Sequence, residues 1–224
     1  NEKSPYVGRS AFAHKGGMHI DGVLKNPHTF EHVPPERVGN HRRYLISEQA
    51  GRGALMLKLA QIAPDVSRES EEAARIMAML KSLEAEGYSF EDADASLELR
   101  ILGTLNRRRE FFRVLDFHVI SQKPEDSANA QAYVKVAVGS QVEITADEGD
   151  GPVNALDRAL RKALLRFYPL LSGARLVDFK VRVVASHGTA SVVRVFIEST
   201  DGQRAWSTVG VSSNVIEASF IALS

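Results

Sequence analysis

The carboxy-terminal half of the chain repeats itself, and this repeat constrains the fold more than any other feature. Three segments recur about sixty residues later in the same order, which indicates an internal duplication. Each copy has three runs of alternating β-branched and aromatic residues followed by a helical stripe, so each predicts a βββα unit. The matching pairs are Leu115–Val119 with Val177–Val181, Ala132–Val138 with Ser191–Ile197, and Gly151–Leu160 with Asn214–Leu223.

The residues before the repeat predict two further regions. Residues 1–50 contain paired prolines and five of the seven histidines, so this region is predicted to be a loop-rich linker subdomain. In the helical linker subdomain, 51–110, the spacing of Ile76, Met79, Leu80 and Leu83 predicts an amphipathic helix that stops at Gly87. The predicted fold class is therefore α+β, with small helical linker subdomains followed by a duplicated βββα domain over 111–224.

Composition excludes several kinds of function. The formal net charge is zero, so no strong electrostatic field attracts nucleic acid or anionic lipid. The sequence has no cysteine, which excludes disulfides and thiolate chemistry, and it has no apolar run long enough to cross a bilayer. We expect no nucleic-acid or membrane partner, and we expect a cytoplasmic protein.

A glycine- and histidine-rich segment, Gly8–Gly22, is the first candidate functional site. Its glycines predict a loop, with a short helix starting at Asp21. His19 and Asp21 place a titratable ring beside a carboxylate, which suits general acid–base catalysis. The alternative is a tight loop with solvated polar side chains. His14 and His19 are five residues apart, which is not the helical zinc-binding spacing, and no metal site is predicted.

The turns that lead into the two repeated helices are the second candidate site. A helix start presents free backbone N–H groups that stabilise a carboxylate, so an amino acid or another organic acid is a sensible ligand. Asp150 is predicted to cap the first helix. The alternative is two capped helices without a ligand. The predicted effector-binding residues are Gly149, Asp150, Gly151, Pro152, Val153, Asn154 and Ala155 in the first turn, and Val209, Gly210, Ser212 and Ser213 in the second.

Four motifs together resemble one enzyme family. The segment Ala11–Lys25 resembles the stretch just after the catalytic barrel of citramalate and α-isopropylmalate synthases, and Pro35–Arg43 with Ser47–Gly53 resembles the next linker motif. Gly149–Ala155 and Thr208–Ser219 resemble the two effector turns of the regulatory domain in that family. Within this family, Lys25–Pro27 and Val38–Arg43 resemble the citramalate synthases more than the leucine-pathway enzymes.

This resemblance implies condensation of acetyl-CoA with an α-keto acid. The product would be citramalate if the acid is pyruvate, or isopropylmalate if it is 2-ketoisovalerate. The family's barrel, which supplies the divalent metal and the keto-acid site, is absent here, so this fragment would be inactive alone and hold no cofactor. The resemblance assigns proton abstraction to His19, with Asp21 orienting it and His14 as the weaker candidate.

The resemblance also implies regulation. The duplicated domain would form a homodimer and bind isoleucine, or leucine in the leucine-pathway enzymes, as a feedback effector. A different class of function stays open, namely a free-standing amino-acid-binding dimerisation module. Such a module has no need for the histidine motif between His14 and Gly22, so that motif favours the enzyme.

Overall fold

The structure is a computed structural model, and its described residues form two compact units of mixed helices and strands. The predicted α+β class is confirmed. Of the motif at Ser47–Gly53, residues 47–51 lie outside the described residues. The described residues are 4–8, 10–14, 17–44, 52–67, 69–121, 130–185, 188 and 191–224. The first unit comprises 1–85, 89–92 and 97–106, and the second comprises 86–88, 93–96 and 107–224.

The first unit begins with two short parallel strands that are separated along the chain by a helix. Strand β1 (Ala13–His14) pairs with β2 (Arg43–Tyr44), and α1 (Gly17–Lys25) lies between them in sequence. The expectation of a loop up to Asp21 was wrong, because the helix already begins at Gly17. Ile20 and Val23, one turn apart, are each only 2% exposed, and burying this pair offsets the entropic cost of the neighbouring glycines.

Three longer helices complete the first unit. They are α2 (Arg52–Ile62), α3 (Glu71–Ala85) and α4 (Asp94–Thr104), whose first residues belong to the second unit. The predicted amphipathic helix is α3, and its Ile76 and Leu80 are buried. The Ser70 hydroxyl accepts a hydrogen bond from the Ala73 N–H and so caps this helix.

The second unit contains two three-stranded antiparallel sheets, each followed by a helix. The first sheet has the order β3 (Arg113–Ser121), β4 (Ala130–Val138) and β5 (Gln141–Gly149), and α5 (Pro152–Leu165) follows. After a 3₁₀ turn at Pro169–Gly173, the second sheet has the order β6 (Arg175–Ala185), β7 (Val192–Thr200) and β8 (Ala205–Ser212), and α6 (Val215–Leu223) follows.

Local irregularities recur in both copies, which confirms the duplication. The first strand of each sheet has a register shift at the same place, between Val114 and Asp116 and again between Leu176 and Asp178. The third strands also share a contact: the Thr145 hydroxyl donates to the Ala159 carbonyl at 2.7 Å, as Thr208 does to Ala222 at 2.6 Å. Such bulges are designed features rather than defects, so their repetition reflects one ancestral unit.

The two copies share a hydrophobic core. One face of α5 packs on β4, and Phe220 of α6 joins that same cluster, with its ring 4.4 Å from the ring of Phe117. A second cluster joins α6 to β7 through Val195, Ile197, Ala218 and Ala222. The helix of the second copy therefore covers apolar surface of the first copy that α5 leaves uncovered, whereas the second cluster is built from second-copy residues.

Candidate functional site

The starts of the two repeated helices differ in how their N–H groups are satisfied. Asn214 precedes α6, and its side chain accepts hydrogen bonds from the backbone of Ile216 at 2.9 Å and Glu217 at 3.5 Å. Gly151 precedes α5 and caps it with no side chain, followed by Pro152. The predicted cap at Asp150 was therefore wrong. Among the described residues, no side chain caps the first helix start, whereas the second is capped by its own Asn214.

Two predicted turn glycines allow close backbone packing. A Cβ on Gly149 would lie 2.5 Å from the Ala155 nitrogen, and one on Gly210 would lie 2.0 Å from the Ala218 carbonyl oxygen. Real side chains do not tolerate such distances, so both glycines let the strand end approach the helix backbone. In the second turn, Ser212 donates to the Glu217 carboxylate at 2.6 Å. Their proposed contacts with an effector stay predictions.

A cleft of about 530 Å³ opens beside the start of α5, a volume within the usual range for small-molecule sites. Of the predicted effector residues, Val153 and Asn154 line it, and the others are not among the described residues of its walls. The first turns of α5 form one wall, and the beginning of β6 forms the other. The lining residues are Val153, Asn154, Asp157, Arg161, Ala174, Arg175, Leu176 and Phe179.

The cleft combines paired charges with an apolar surface. Arg161 Nε donates to both carboxylate oxygens of Asp157, at 2.8 and 3.0 Å, and its Nη1 donates to the Ala174 carbonyl. This arrangement fixes the acidic side chain on α5 and ties the helix to the residues that enter β6. Arg175 adds a second cation. Leu176 and Phe179 supply apolar contacts, so the cleft suits a small zwitterion with an aliphatic side chain.

Sequence reasoning missed most of the cleft. Val153, Asn154, Asp157 and Arg161 follow a spacing of three and four residues, so they share one face of α5. That spacing was available in the sequence. The contribution of β6 was not, because it depends on how the 3₁₀ turn returns the chain to the helix.

The predicted catalytic residues lie in different environments. His14 on β1 is buried, whereas His19 on α1 is exposed, with its ring 4.4 Å from the ring of Phe30. The Asp21 carboxylate accepts a hydrogen bond from Lys25 Nζ at 2.7 Å. Residues two apart on a helix face different directions. The structure therefore places Asp21 beside Lys25, and its role in orienting His19 stays a prediction.

A buried charge network, which the sequence analysis did not anticipate, holds His14. Its Nε2–H donates to Glu31 Oε1 at 3.0 Å, and Arg42 Nε donates to both Glu31 oxygens at 2.9 and 2.8 Å. Glu31 is only 4% exposed. Burial acts to raise the pKa of Glu31, but the hydrogen bonds and charges of Arg42 and His14 outweigh it and hold the pKa below its usual value. The network joins three separate segments of the first unit.

We expect the Glu31→Gln substitution to lower the free energy of unfolding by about 2–4 kcal/mol at pH 7, because it leaves Arg42 without its buried counter-ion. Glu36→Gln is the matched control. Glu36 also accepts from Arg42, at 3.3 Å, but it is 63% exposed, so its loss costs less than about 1 kcal/mol. Urea unfolding of both variants measures the difference, and equal costs would contradict the assignment.

The same network predicts a direction for the pH dependence. The pKa of Glu31 is lower in the folded chain than in the unfolded chain. Its contribution to stability is therefore complete above the unfolded value of about 4.3 and is lost as the pH falls through the folded value. The difference in the free energy of unfolding between the unaltered chain and Glu31→Gln should therefore shrink below about pH 4. Urea unfolding at a series of pH values measures this difference.

Neither a metal cluster nor a membrane span is found in the described part of the chain. No group of three or more His, Asp or Glu side chains there is placed to hold a metal ion. No helix among the described residues is both long enough and apolar enough to cross a bilayer.

Comparison with known proteins identifies similar sequences for both units. Residues 91–224 match the family described as the LeuA allosteric (dimerisation) domain, and residues 6–88 match the homocitrate synthase post-HMGL domain-like family. The (R)-citramalate synthase of Aquifex aeolicus is 50% identical over 98% of this chain and 42% of its own length. That of Geobacter sulfurreducens is 46% identical over 100% and 43%. The 2-isopropylmalate synthase of Shigella sonnei is 31% identical over 95% and 38%. The chain therefore spans about two fifths of the length of these relatives.

Proposed function

Because the chain belongs to the family of citramalate and α-isopropylmalate synthases, we propose that it forms the linker and regulatory part of an enzyme that makes citramalate from acetyl-CoA and pyruvate. The identities support pyruvate as the keto acid. Relatives named (R)-citramalate synthase reach 50% identity, whereas the 2-isopropylmalate synthase is 31% identical. We place the catalytic segment, with the divalent metal and keto-acid site expected of it, in the part of such an enzyme that this chain does not span.

The reaction forms one carbon–carbon bond. A base removes a proton from the methyl group of acetyl-CoA, and the resulting carbanion adds to the keto carbon of pyruvate. The former keto oxygen takes up a proton and becomes the hydroxyl group of citramalate. Water then cleaves the thioester, which releases CoA and citramalate. A divalent metal in the catalytic segment would polarise the keto group. His19 is the proposed proton acceptor, and it would act in the catalytic segment of the partner subunit of a homodimer.

The different environments of the two histidines support different roles for them. His14 is buried and bonded to Glu31, so it holds the β1 end of the segment in place. His19 lies in the first turn of α1, is exposed, and packs against Phe30. A base that must reach another reaction centre has to be exposed and yet held in a fixed orientation, and His19 meets both conditions.

The cleft beside α5 is the proposed effector site, and it is the observation that carries the regulatory function. It lies in the unit that matches an allosteric family and contains an acidic side chain, two arginines and an apolar wall. The ammonium group of isoleucine would approach Asp157, and its carboxylate would approach Arg175 and the start of α5. Its aliphatic side chain would pack on Leu176 and Phe179. Val153 and Asn154 bring the first predicted turn, Gly149–Ala155, into this proposal. The second turn follows the other end of its sheet, where Ser212 pairs with Val193, so its contact with an effector stays a separate prediction.

Calorimetric titration of the chain with isoleucine, leucine and valine tests the effector site. We expect isoleucine to bind with the highest affinity, and Arg175→Gln to weaken it at least tenfold through loss of a charge-assisted bond. Arg182→Gln is the matched control, since Arg182 is an exposed arginine of the same strand and lies outside the cleft. Absence of heat with all three amino acids, or unchanged affinity in Arg175→Gln, would contradict the proposal.

A further inference from the structure

The segment between α3 and α4 attaches to the second sheet of the second unit, which we call the regulatory unit from here on. Residues 86–88 and 93–96 belong to that unit, although α3 itself and most of α4 belong to the first. The two matched families meet at the same place, since one ends at residue 88 and the other begins at residue 91. The chain crosses between the two units within this segment, and it crosses again between residues 106 and 107.

Gly87 lies against the sheet at close range. Its φ of +104° is a conformation that side chains rarely adopt. A Cβ there would lie 3.1 Å from Val184 Cγ1 on β6 and 3.5 Å from Val211 Cγ1 on β8. Farther along, the Ser96 hydroxyl accepts a hydrogen bond from the Val209 N–H of β8 at 2.9 Å. The segment is therefore attached at both of its ends.

Arg194 of β7 makes a second side-chain hydrogen bond in this attachment. Its Nε donates to the Gly87 carbonyl at 2.5 Å. Arg194 lies directly opposite Arg182 of β6, and like charges in that position are destabilising. Both guanidinium groups lie over the ring of Phe196, at 5.8 and 6.0 Å, which offsets part of the repulsion. Of these two arginines, Arg194 bonds to the Gly87 carbonyl.

Strand β6 connects this attachment to the cleft. Leu176 and Phe179, near its beginning, line the cleft, while Val184, near its end, packs against Gly87. Between them, Arg182 pairs with Arg194 in the register. A ligand that presses on Phe179 therefore acts on the same strand that positions Arg194 and Gly87.

We propose that Arg194 is a positioning residue that transmits occupancy of the cleft to the segment 86–96. This inference rests on the proposed effector site. A ligand shifts an equilibrium only by binding one arrangement more tightly than another, so the two arrangements differ in how β6 and β7 present Arg194 to Gly87. The segment is covalently continuous with α3 and α4, and its position is the regulatory output.

Amide hydrogen exchange of the chain, with and without saturating isoleucine, tests the inference. In the unaltered chain, isoleucine should slow exchange in peptides that cover 86–96, because the held segment opens less often. Arg194→Gln should bind isoleucine within about twofold of the unaltered affinity, a difference under about 0.5 kcal/mol, yet lose the change in exchange. Arg182→Gln, its neighbour over the same ring, should retain both.

The outcomes separate the inference from the proposal beneath it. If isoleucine binds the unaltered chain with measurable heat but leaves amide exchange at 86–96 unchanged, the inference is overturned and the effector site stands. A full exchange change in Arg194→Gln would also overturn it. Absence of heat with isoleucine in the unaltered chain would overturn the effector site, and the inference with it.

Discussion

Gly210→Ala is expected to cost about 4 kcal/mol of folding free energy, which is a large effect for the addition of one methyl group. The new Cβ would lie 2.0 Å from the Ala218 carbonyl oxygen and 2.9 Å from the Ala222 nitrogen. Both atoms belong to the backbone of α6, so no side chain can rotate away. The helix would have to move off β8, which would open the second core cluster and break the bond from Thr208 to Ala222.

Gly103→Ala provides the matched control. Gly103 lies in α4, and no described atom outside the neighbouring helix backbone lies within 4 Å of the Cβ position there. Alanine at a helical glycine should be neutral or stabilise the chain by about 0.5–1 kcal/mol. Urea unfolding followed by circular dichroism measures both variants against the unaltered chain. If Gly210→Ala unfolds within about 1 kcal/mol of Gly103→Ala, the close approach of β8 to α6 is wrong.

The duplicated unit could be predicted from the sequence because its signals are local. Alternating β-branched residues in Tyr133–Val138 and the helical stripe from Val153 to Leu164 each specify one element. The repeat then fixes the order of the elements. The packing of Phe220 into the core of the first copy could not be predicted, because it depends on how α5 and α6 meet.

The histidine segment was harder to predict for a physical reason. Its glycines favour a loop, and the two buried apolar side chains that make it a helix, Ile20 and Val23, gain their energy from tertiary packing. Glu31 and Arg42 lie 17 and 28 residues from His14, and neither carries a local signal of burial. Long-range charge pairing of this kind has no sequence period to reveal it.

His19→Ala should lower kcat by about 10²–10⁴-fold in the enzyme that joins this chain to the catalytic segment of its relatives, which is the usual contribution of a positioned base. The KM for pyruvate should change little, because the proposed role concerns the proton of acetyl-CoA. Since His19 is exposed, its removal should shift the unfolding free energy by less than about 0.5 kcal/mol. His14→Ala, in contrast, should act through stability, because it removes the donor to Glu31.

The central claim is that the segment carrying His19 completes a citramalate-forming site. The most direct test is the turnover of the His19→Ala enzyme, followed as pyruvate-dependent release of CoA. His28→Ala is the control, since His28 is an exposed histidine in the 3₁₀ turn Pro27–Thr29 that follows α1. We predict a loss of at least about 100-fold in His19→Ala and none in His28→Ala, with both proteins equally stable. Turnover of His19→Ala within twofold of the unaltered enzyme would contradict the account.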